Sequence, residues 1–366
     1  MEAVAQRNAE RVSAIETSDT SFLGLRVSPL GRRRWANFKA SKRGYWSLWI
    51  IGVMFSVSLF AEFLANDKPI LLVYEGQLYV PVMVDYPESE FGGVFETEAN
   101  YTDTVVRDLI ESGDGWMLWP PIPFSYDTID LYTSGTVPES PSARHWLGTD
   151  DVARDVTARV IHGFRLSMLF GLSLTVLASI IGIAVGAAQG YFGGMTDLLG
   201  QRVVEIWAGL PTLVVIIILT SMFEPNAIVL LLLLLLFSWM TLVSIVRAEF
   251  LRTRNFEYVK AARALGEGDL AIMRKYILPN AMVATLTYLP FVLSGSITTL
   301  TALDFLGFGL PAGYPSLGEL LSQGKANMQA PWLGLSGFFT LAVVLTLLVF
   351  VGEGVRDAFD PRRSAQ

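Results

Sequence analysis

Long apolar segments are the feature that most limits what this chain can fold into. A helix that crosses the roughly 30 Å hydrocarbon core of a membrane needs about 20 mainly apolar residues. Six segments reach that length with few charges, and we predict a transmembrane helix in each. They cover residues 45–65, 166–189, 200–223, 227–246, 281–305 and 332–351.

The composition agrees with this interpretation. Hydrophobic residues make up 52% of the 366 residues, charged residues make up 17%, and the mean hydropathy is +0.45. A soluble domain of this length carries more charge and fewer apolar residues. The predicted fold class is therefore an all-α polytopic membrane protein with six transmembrane helices.

The distribution of Lys and Arg predicts the orientation, because short cytoplasmic loops are enriched in positive charge. Residues 1–44 are too long for the charged region of a cleaved signal peptide, so the first helix is predicted to be a retained anchor. Six crossings then place this segment, the loop 247–280 and the tail 356–366 in the cytoplasm. Their basic residues include Arg32, Arg33, Arg34, Lys39, Lys42, Arg43, Arg247, Arg252, Arg254, Arg356, Arg362 and Arg363.

The segment 66–163 is predicted to lie outside the cytoplasm, as an insert between the first two transmembrane helices. It holds about half of the 34 acidic residues, so the net charge of -7 belongs mostly to this segment. A solvated acidic surface is favoured over an acidic cluster that binds cations or basic substrates. Aromatic and β-branched residues at 71–84, with breaks at Pro120, Pro121 and Pro123, predict a small β-rich fold.

The sequence offers little chemistry for a metal site or for catalysis. It has no cysteine, and His145 and His162 are far apart, so each is predicted to be a surface or interfacial residue. The segment 318–326, GELLSQGKA, superficially resembles a phosphate-binding loop, but five residues separate its glycines and Ala326 follows the lysine. We predict no ATP site, no metal site, no nucleic-acid partner and no enzymatic activity in this chain.

A basic, alanine-rich segment at 257–280 separates two predicted transmembrane helices. Its first part, 257–265, contains good helix formers and places Val259, Ala262 and Leu265 on one side of a helix. Gly266 can end this helix in the left-handed conformation that is open to glycine.

A second helix is predicted to begin at Asp269, whose carboxylate can cap it. Leu270, Met273 and Ile277 then recur at helical spacing, and Pro279 marks the start of the next transmembrane helix. The segment 257–280 is thus predicted to form a helical hairpin.

Two interpretations of this hairpin remain open on the residues alone. Ala261 and Ala262 form a patch of short side chains that another surface can approach closely. The hairpin is then a docking element for a soluble partner, with four cations around the patch: Lys260, Arg263, Arg274 and Lys275. A solvated loop without a partner is the alternative.

The spacing of KAARALG, nine residues and YILPN resembles the EAA loop of ABC importer permeases. That loop reads Glu-Ala-Ala, three residues, Gly, nine residues, Ile, one residue, Leu-Pro. Lys260 stands where the family has Glu, and Tyr276 stands where it has Ile. The resemblance implies that an ATPase contacts the loop at Lys260, Ala261, Ala262, Gly266, Asp269, Leu278 and Pro279.

Other segments resemble the dipeptide and oligopeptide branch of these permeases, over nearly the whole chain. They are HWLGTDDVARD from His145, LDFLGFGLPAGYPSLGELL from Leu303, APWLG from Ala330 and GEGVRDAFDPR from Gly352. The long insert, ANDKP at 65–69 and VRAEFLRTRNFEY at 246–258 resemble most the Yej-type permeases of this branch, which are linked to microcin C and oligopeptide uptake.

The resemblance implies a subunit of the bacterial inner membrane that moves peptides. A homologous second permease completes the pathway, a periplasmic binding protein delivers the substrate, and cytoplasmic ATPase subunits bind ATP and Mg²⁺. Closure of the ATPases is expected to move the loop and to switch access across the membrane. Ala261, Ala262 and Gly266 would act there by contact and turn geometry, and the identity of the peptide stays open.

Two other classes of protein remain as alternatives. A secondary transporter needs a coupling-ion site and repeat-related broken helices, and the sequence has no internal repeat. A membrane anchor or assembly factor without transport would tolerate loss of the alanines and the glycine of the hairpin.

Polar residues near the span ends give further predictions. Thr149 is predicted to cap a short amphipathic helix with Asp150 and Asp151 in its first turn and valines at 152, 156 and 160 on one face, in a packing role. Glu205 and Asp304 lie near span ends, and neither is assigned to ion coupling.

Two prolines mark places where a predicted span can bend. Pro211 lies in the span 200–223 and Pro290 in the span 281–305. Proline is ordinary in membrane helices, so neither residue by itself predicts a transport pathway.

Overall fold

The computed structural model describes residues 29–133, 135–223, 226–311 and 313–359. Much of the predicted N-terminal segment and the end of the predicted tail, residues 1–28 and 360–366, lie outside the described residues. The described chain is predominantly helical. Its helices are α1 (Pro29–Ala40), α2 (Lys42–Ser58), α3 (Thr104–Ser112), α4 (Val156–Phe192), α5 (Gly194–Ala208), α6 (Thr212–Thr220), α7 (Ala227–Ser238), α8 (Met240–Thr253), α9 (Glu257–Ala264), α10 (Asp269–Ile272), α11 (Leu278–Phe305), α12 (Leu317–Ala326) and α13 (Pro331–Phe359).

Between α2 and α4 the chain forms a small mixed lobe. Strands β1 (Leu71–Tyr74), β2 (Gln77–Tyr79) and β3 (Trp116–Leu118) pair antiparallel in the order β2-β1-β3. Leu72 of the central strand is fully buried with Ile110 of α3. The strands have only four, three and three residues, so the prediction of a β-rich insert is not confirmed.

Among the described residues, four continuous helical segments are long and apolar enough to cross a membrane. A fifth crossing is added if the bent pair α5–α6 is one span. The four segments are Val156–Phe192 (α4), Ala227–Thr253 (α7 and α8 together), Asp269–Phe305 (α10 to α11) and Pro331–Phe359 (α13). They contain the predicted spans at 166–189, 227–246, 281–305 and 332–351. The predicted crossing at 45–65 corresponds to α2, which has 17 residues, so the count of six is not confirmed.

The predicted span 200–223 is broken in the middle. Helix α5 ends at Ala208 and α6 begins at Thr212, and the two are bent by 70°. Pro211 lies at this break, where its missing N–H removes a helical hydrogen bond. The bend predicted at Pro211 is therefore confirmed, whereas Pro290 lies inside α11, which continues through it.

Helix α4 packs closely against α8 along a row of glycines. A Cβ added to Gly182 would lie 2.5 Å from the carbonyl oxygen of Trp239, and one added to Gly186 would lie 2.7 Å from that of Val243. One more turn along, a Cβ on Gly190 would lie 2.5 Å from the Cβ of Phe250. Glycines four residues apart let two membrane helices approach until their backbones are nearly in contact.

Helix α13 packs against α2, α11 and α12 and joins them in one bundle. Their shared core is aliphatic. It contains Ile51 of α2, Leu293 and Ile297 of α11, Leu320 of α12, and Leu341, Val344 and Leu348 of α13. Helix α1 also contacts α13, where the guanidinium of Arg34 lies 4.6 Å from the centre of the Phe359 ring. Helix α1 and the end of α13 therefore lie at the same end of the bundle.

Candidate functional site

The predicted hairpin is present, with α9 and α10 joined by a tight turn. Gly266 has a φ of 84°, the left-handed conformation predicted for it. Its N–H donates to the carbonyl of Arg263 at 3.0 Å, and the N–H of Glu267 donates to the carbonyl of Ala262 at 3.2 Å. These two bonds form a Schellman motif, which satisfies carbonyls that the end of α9 leaves without helical partners.

One face of the hairpin is packed against α4 and α8. Val259 and Ala262 of α9 are buried, together with Ile272 and Ile277 of the second arm. Their neighbours in this core are Ala187 and Tyr191 of α4 and Val246 and Phe250 of α8. The prediction that Ala262 belongs to an accessible patch is wrong, because it follows Val259 by three residues and shares its buried face.

The opposite face of the hairpin is open. Ala261 and Lys260 are exposed, and Leu265 and Leu270, on either side of the turn, are 85% and 78% exposed. The prediction that Leu265 lies on the same side as Val259 is wrong, because α9 ends at Ala264 and the turn directs Leu265 outwards. Large apolar side chains exposed on both sides of one tight turn fit a surface that binds another protein.

The second arm of the hairpin runs directly into α11. A π-helical turn at Met273–Ile277 precedes Leu278, the first residue of α11, and Pro279 follows at a position that tolerates its missing N–H. Leu278 is half-buried and Pro279 is exposed. The side-chain amide of Asn280 donates to the hydroxyl of Tyr258 at 2.9 Å, which joins the start of α11 to α9.

Asp269 does not cap α10, contrary to the prediction. The N-cap is Gly268, and Asp269 is the first residue of the helix. Its carboxylate accepts a hydrogen bond of 2.5 Å from the hydroxyl of Tyr191, near the end of α4, and Arg263 donates to the same hydroxyl at 3.1 Å. Tyr191 gives no separate signal in the sequence, since an aromatic residue at the end of an apolar run is typical of any membrane interface.

A cluster of buried charges lies at the other end of α4. Arg159 is fully buried, donates to Glu319 of α12 at 2.6 Å and lies 3.4 Å from Asp150. Arg154 donates to Asp150 at 2.7 Å and to Glu319 at 3.2 Å. We call Asp150, Arg154, Arg159 and Glu319 the Arg159 cluster, and it joins the start of α4 to α12.

The same contacts explain why no helix begins at Thr149. Arg154 and Arg159 both engage the carboxylate of Asp150, which leaves residues 149–155 in turns and bridges. Helix α4 begins at Val156, and its N-cap is Asp155, whose carboxylate accepts from the N–H of Ala158 at 2.8 Å. The predicted cap at Thr149 is therefore wrong, and residues 156–163 of the predicted insert belong to α4.

A comparison with known protein families decides the class of the chain. The family described as "Binding-protein-dependent transport system inner membrane component" matches residues 178–365, a range that includes the α4–α8 seam and the hairpin. The chain belongs to this family. It is accordingly a multi-pass permease component of the inner membrane.

Three relatives of this permease illustrate the match. "Peptidoglycan transport system permease protein YejE" of Agrobacterium fabrum is 55% identical over 92% of this chain and 94% of that protein. "Inner membrane ABC transporter permease protein YejE" of Escherichia coli is 55% identical over 93% of this chain and 99% of that protein. "Oligopeptide transport system permease protein OppC" of Haemophilus influenzae is 34% identical over 66% and 77%.

The acidic residues near the membrane ends of the permease have structural partners. Glu205 is exposed on α5 and pairs with Arg202. Asp304 accepts hydrogen bonds from the hydroxyl of Ser316 at 2.5 Å and from the N–H of Leu310 at 2.7 Å, so it holds the loop that follows α11. In the part of the chain that the structure describes, no group of three His, Cys, Asp or Glu side chains could hold a metal ion.

Both histidines of the permease are buried, so the prediction of surface or interfacial positions is wrong. Nδ1 of His145 lies 2.8 Å from Asp155, and Nε2 lies 3.1 Å from Asp130. Nε2 of His162 lies 3.0 Å from the carbonyl oxygen of Ala65. Each histidine ties the lobe to α4, His145 through the N-cap residue and His162 through the segment that follows α2.

The stabilisation that His145 provides is expected to decrease as the pH rises. Burial alone would lower the pKa of His145, but the hydrogen bonds and charges of Asp155 and Asp130 outweigh it and raise the pKa above its usual value of 6.5. Because the folded pKa is the higher one, the stabilisation is complete below pH 6.5 and is lost as the pH rises through the raised value.

The expectation can be tested with the purified permease and a His145→Asn variant. Their melting temperatures should be measured from below pH 6.5 to above the raised pKa of His145. The difference in favour of the wild type should be largest below pH 6.5 and should shrink at higher pH. A difference that is the same at every pH would mean that His145 contributes through packing alone.

Proposed function

We propose that this chain is the permease subunit of an ATP-driven peptide importer and that its hairpin is the seat of a cytoplasmic ATPase. The observation that carries the proposal is the two-sided structure of the hairpin. Val259 and Ala262 are buried against the membrane helices, whereas Leu265 and Leu270 project away from them. An element held on one side and apolar on the other is suited to receive a force from a partner and to pass it on.

The apolar part of the open face indicates the partner surface that fits it. Leu265 and Leu270 require an apolar groove, and burying a leucine side chain fully contributes about 1.5–3 kcal/mol. Ala261 has a short side chain, so the wall of such a groove can approach the backbone of α9. A groove on the ATPase that accepts a short helix end and a turn meets these requirements.

The charges of the hairpin add a second requirement. Arg274 is exposed on the second arm and favours an acidic rim on the partner, whereas Lys275 pairs with Glu267 of the turn at 3.4 Å. Lys260 replaces the glutamate of the family and forms an ion pair of 2.9 Å with Glu257 on the same helix. Its positive charge is thus partly compensated within α9, and the partner need not supply a counter-charge for it.

We infer that the hairpin and both termini face the cytoplasm, that the lobe faces the periplasm and that the chain crosses six times. The contact between Arg34 and Phe359 brings the two ends of the described chain to one end of the bundle, which supports an even number of crossings. The four long helices and the bent pair supply five, and α2 supplies the sixth. The basic residues of α1 and of the hairpin then lie on the side that the positive-inside rule favours.

A homologous second permease is proposed to cover the bent pair α5–α6. None of the 15 residues of α5 is buried, although the helix carries exposed apolar side chains such as Met195, Val203 and Ile206. A periplasmic binding protein is proposed to deliver the cargo from the side of the lobe. Peptides are the proposed cargo, because two relatives are named for peptidoglycan and oligopeptide transport. Conjugates of the microcin C type are included in the proposal on the sequence resemblance alone.

The partner ATPase is proposed to bind the ATP and Mg²⁺. The sequence GELLSQGKA, which superficially resembles a phosphate-binding loop, forms helix α12, and the hydroxyl of Ser316 caps it by accepting from the N–H groups of Gly318 and Glu319. The N–H groups of Gly318, Glu319 and Leu320 at the start of α12 already bond to Ser316, and those further along bond within the helix, so they do not form a cradle for a phosphate. We therefore assign the energy source for transport to another chain.

Gly266→Val is expected to uncouple ATP hydrolysis from transport. Nothing lies within 4 Å of an added Cβ, so the effect comes from the φ of 84°, which valine resists. Left-handed geometry costs about 1–2 kcal/mol for a residue other than glycine, which corresponds to a change of about 5- to 30-fold in the population of the native turn. Peptide uptake and ATP hydrolysis, measured together in proteoliposomes that hold the complete transporter, should give a lower ratio of peptide to ATP.

Gly268→Val is the matched control for this experiment. Gly268 lies two residues further along the same turn, has a φ of -70° and a ψ of 151°, and has open space around an added Cβ. Valine adopts those angles readily, so the control should retain the wild-type ratio. Wild-type coupling in the Gly266→Val complex would contradict the proposed role of the hairpin.

A further inference from the structure

Tyr191 occupies the point where the hairpin meets α4. It is the penultimate residue of α4, its side chain is only 4% exposed, and it belongs to the apolar core under the hairpin. Its hydroxyl donates to Asp269 at 2.5 Å and accepts from Arg263 at 3.1 Å. Arg263 lies in the last turn of α9 and Asp269 is the first residue of α10, so one hydroxyl holds both arms across the Gly266 turn.

The backbone around Tyr191 is fixed as well. Arg254, immediately after α8, donates to the carbonyl oxygens of Gly190 and Tyr191, each at 3.2 Å. Gly193, with a φ of 64°, leaves the space that this guanidinium fills, since a Cβ there would lie 2.3 Å from Nη1 of Arg254. The bonds from Arg254 therefore join the end of α4 to the end of α8, and they fix the backbone from which the Tyr191 side chain projects.

Among the described residues, the hairpin also contacts α4 through the Arg263 guanidinium, which lies 5.6 Å from the centre of the Tyr191 ring, and through apolar side chains. Val259, Ala262 and Ile272 pack in the shared core, and such contacts resist separation but do not fix an angle. Hydrogen bonds to charged groups are directional and about twice as strong as those between neutral groups. The two bonds of Tyr191 are therefore the contacts that determine how the hairpin is oriented on α4.

Helix α4 is suited to carry a movement from this point. It has 37 residues, about 55 Å at 1.5 Å per residue, and it packs against α8 and α11. Its far end is bound to α12 through the Arg159 cluster. A rotation applied at Tyr191 thus reaches the opposite end of the bundle along one continuous helix.

We propose that the Tyr191 hydroxyl is a positioning group that transmits movement of the hairpin to α4, by holding Arg263 and Asp269 at once. The inference rests on the proposed function of the hairpin. It makes Tyr191 necessary for coupling and leaves seating of the ATPase to the exposed face. Tyr191→Phe keeps the ring in the core and removes both hydrogen bonds, so it separates the two roles.

The test uses the complete transporter in proteoliposomes, with peptide uptake and ATP hydrolysis measured in the same sample. Tyr191→Phe should lower the ratio of peptide to ATP about tenfold, the change expected when a hydrogen bond to a charged group is lost. Asp269→Ala should lower it by a similar factor, and because Asp269 is exposed this variant does not disturb the core. The double variant should be no worse than Tyr191→Phe alone, because that variant already lacks the hydrogen bond to Asp269.

Tyr258→Phe is the matched control. Its hydroxyl accepts from Asn280 at 2.9 Å, and the bond joins α9 to α11 and not to α4. The control should keep the wild-type ratio. An unchanged ratio for Tyr191→Phe, an equal loss in Tyr258→Phe, or additive losses in the double variant would each overturn the inference.

Gly266→Val in the same assay separates this inference from the proposed function. If Gly266→Val uncouples and Tyr191→Phe does not, the role of Tyr191 is refuted and the hairpin remains the ATPase seat. If neither variant uncouples, the proposed function of the hairpin fails, and the role of Tyr191 fails with it.

Discussion

Gly186→Val is expected to remove most of the folded protein from the membrane. An added Cβ would lie 2.7 Å from the carbonyl oxygen of Val243, 3.0 Å from the Cβ of Val246 and 3.2 Å from the backbone nitrogen of Arg247. Two of these atoms belong to the backbone of α8 and cannot rotate away. Overpacking typically costs about 1–3 kcal/mol and occasionally more, and we expect at least the upper end here because the two helices must separate.

Gly295→Val provides the matched control, because it makes the same substitution inside another long membrane helix. A Cβ added to Gly295 of α11 has nothing within 4 Å. Both variants should be expressed with the partner subunits and measured by the amount of monodisperse complex that detergent extracts. Gly295→Val should give a yield near that of the wild type, and equal yields for the two variants would refute the close seam between α4 and α8.

The membrane helices could be predicted because a long apolar run has few folds open to it in a bilayer. The extent of α4 could not. Hydropathy predicts a span at 166–189, whereas the helix begins at Val156. Its first turns carry Arg159 and His162, and their partners, Glu319 and Ala65, come from distant parts of the sequence. Local hydropathy registers the polarity of such residues but not the contacts that compensate for it.

The hairpin shows the same division between local and distant causes. The turn at Gly266 was predictable, because a glycine after a short helix is favoured by its own backbone geometry. The burial of Ala262 was not, because the face of α9 that is buried depends on where α4 and α8 lie. For the same reason Asp269 has the sequence of a helix cap and yet binds Tyr191.

The histidines and Thr149 show how a folded lobe overrides local preference. Thr149 precedes two acidic residues and has the pattern of an N-cap, but Asp150 binds Arg154 and Arg159, and Asp155 caps α4 in its place. His145 is buried because two carboxylates flank it. A buried ionisable group requires such partners, and the sequence does not indicate which acids of an acidic segment will supply them.

Glu319→Ala is expected to lower the stability of the folded permease by about 3–5 kcal/mol, the usual cost of removing one partner from a buried ion pair. Glu319 accepts from Arg159 at 2.6 Å and from Arg154 at 3.2 Å, and Arg159 is fully buried. Without Glu319, two guanidinium groups share the single carboxylate of Asp150. Arg159 is fully buried and would lose its hydrogen-bonded carboxylate, so the contact between α4 and α12 should weaken and the melting temperature of the purified protein should fall.

Two further variants distinguish an uncompensated charge from simple loss of contact. Glu205→Ala removes a carboxylate from an exposed ion pair with Arg202 and should cost about 0–1 kcal/mol. The double variant Glu319→Ala, Arg159→Met should regain part of the lost stability, because Arg154 and Asp150 then form a balanced pair at 2.7 Å. If Glu319→Ala proves as mild as Glu205→Ala, or if the double variant is less stable than Glu319→Ala alone, the Arg159 cluster does not hold α4 to α12 through charge compensation.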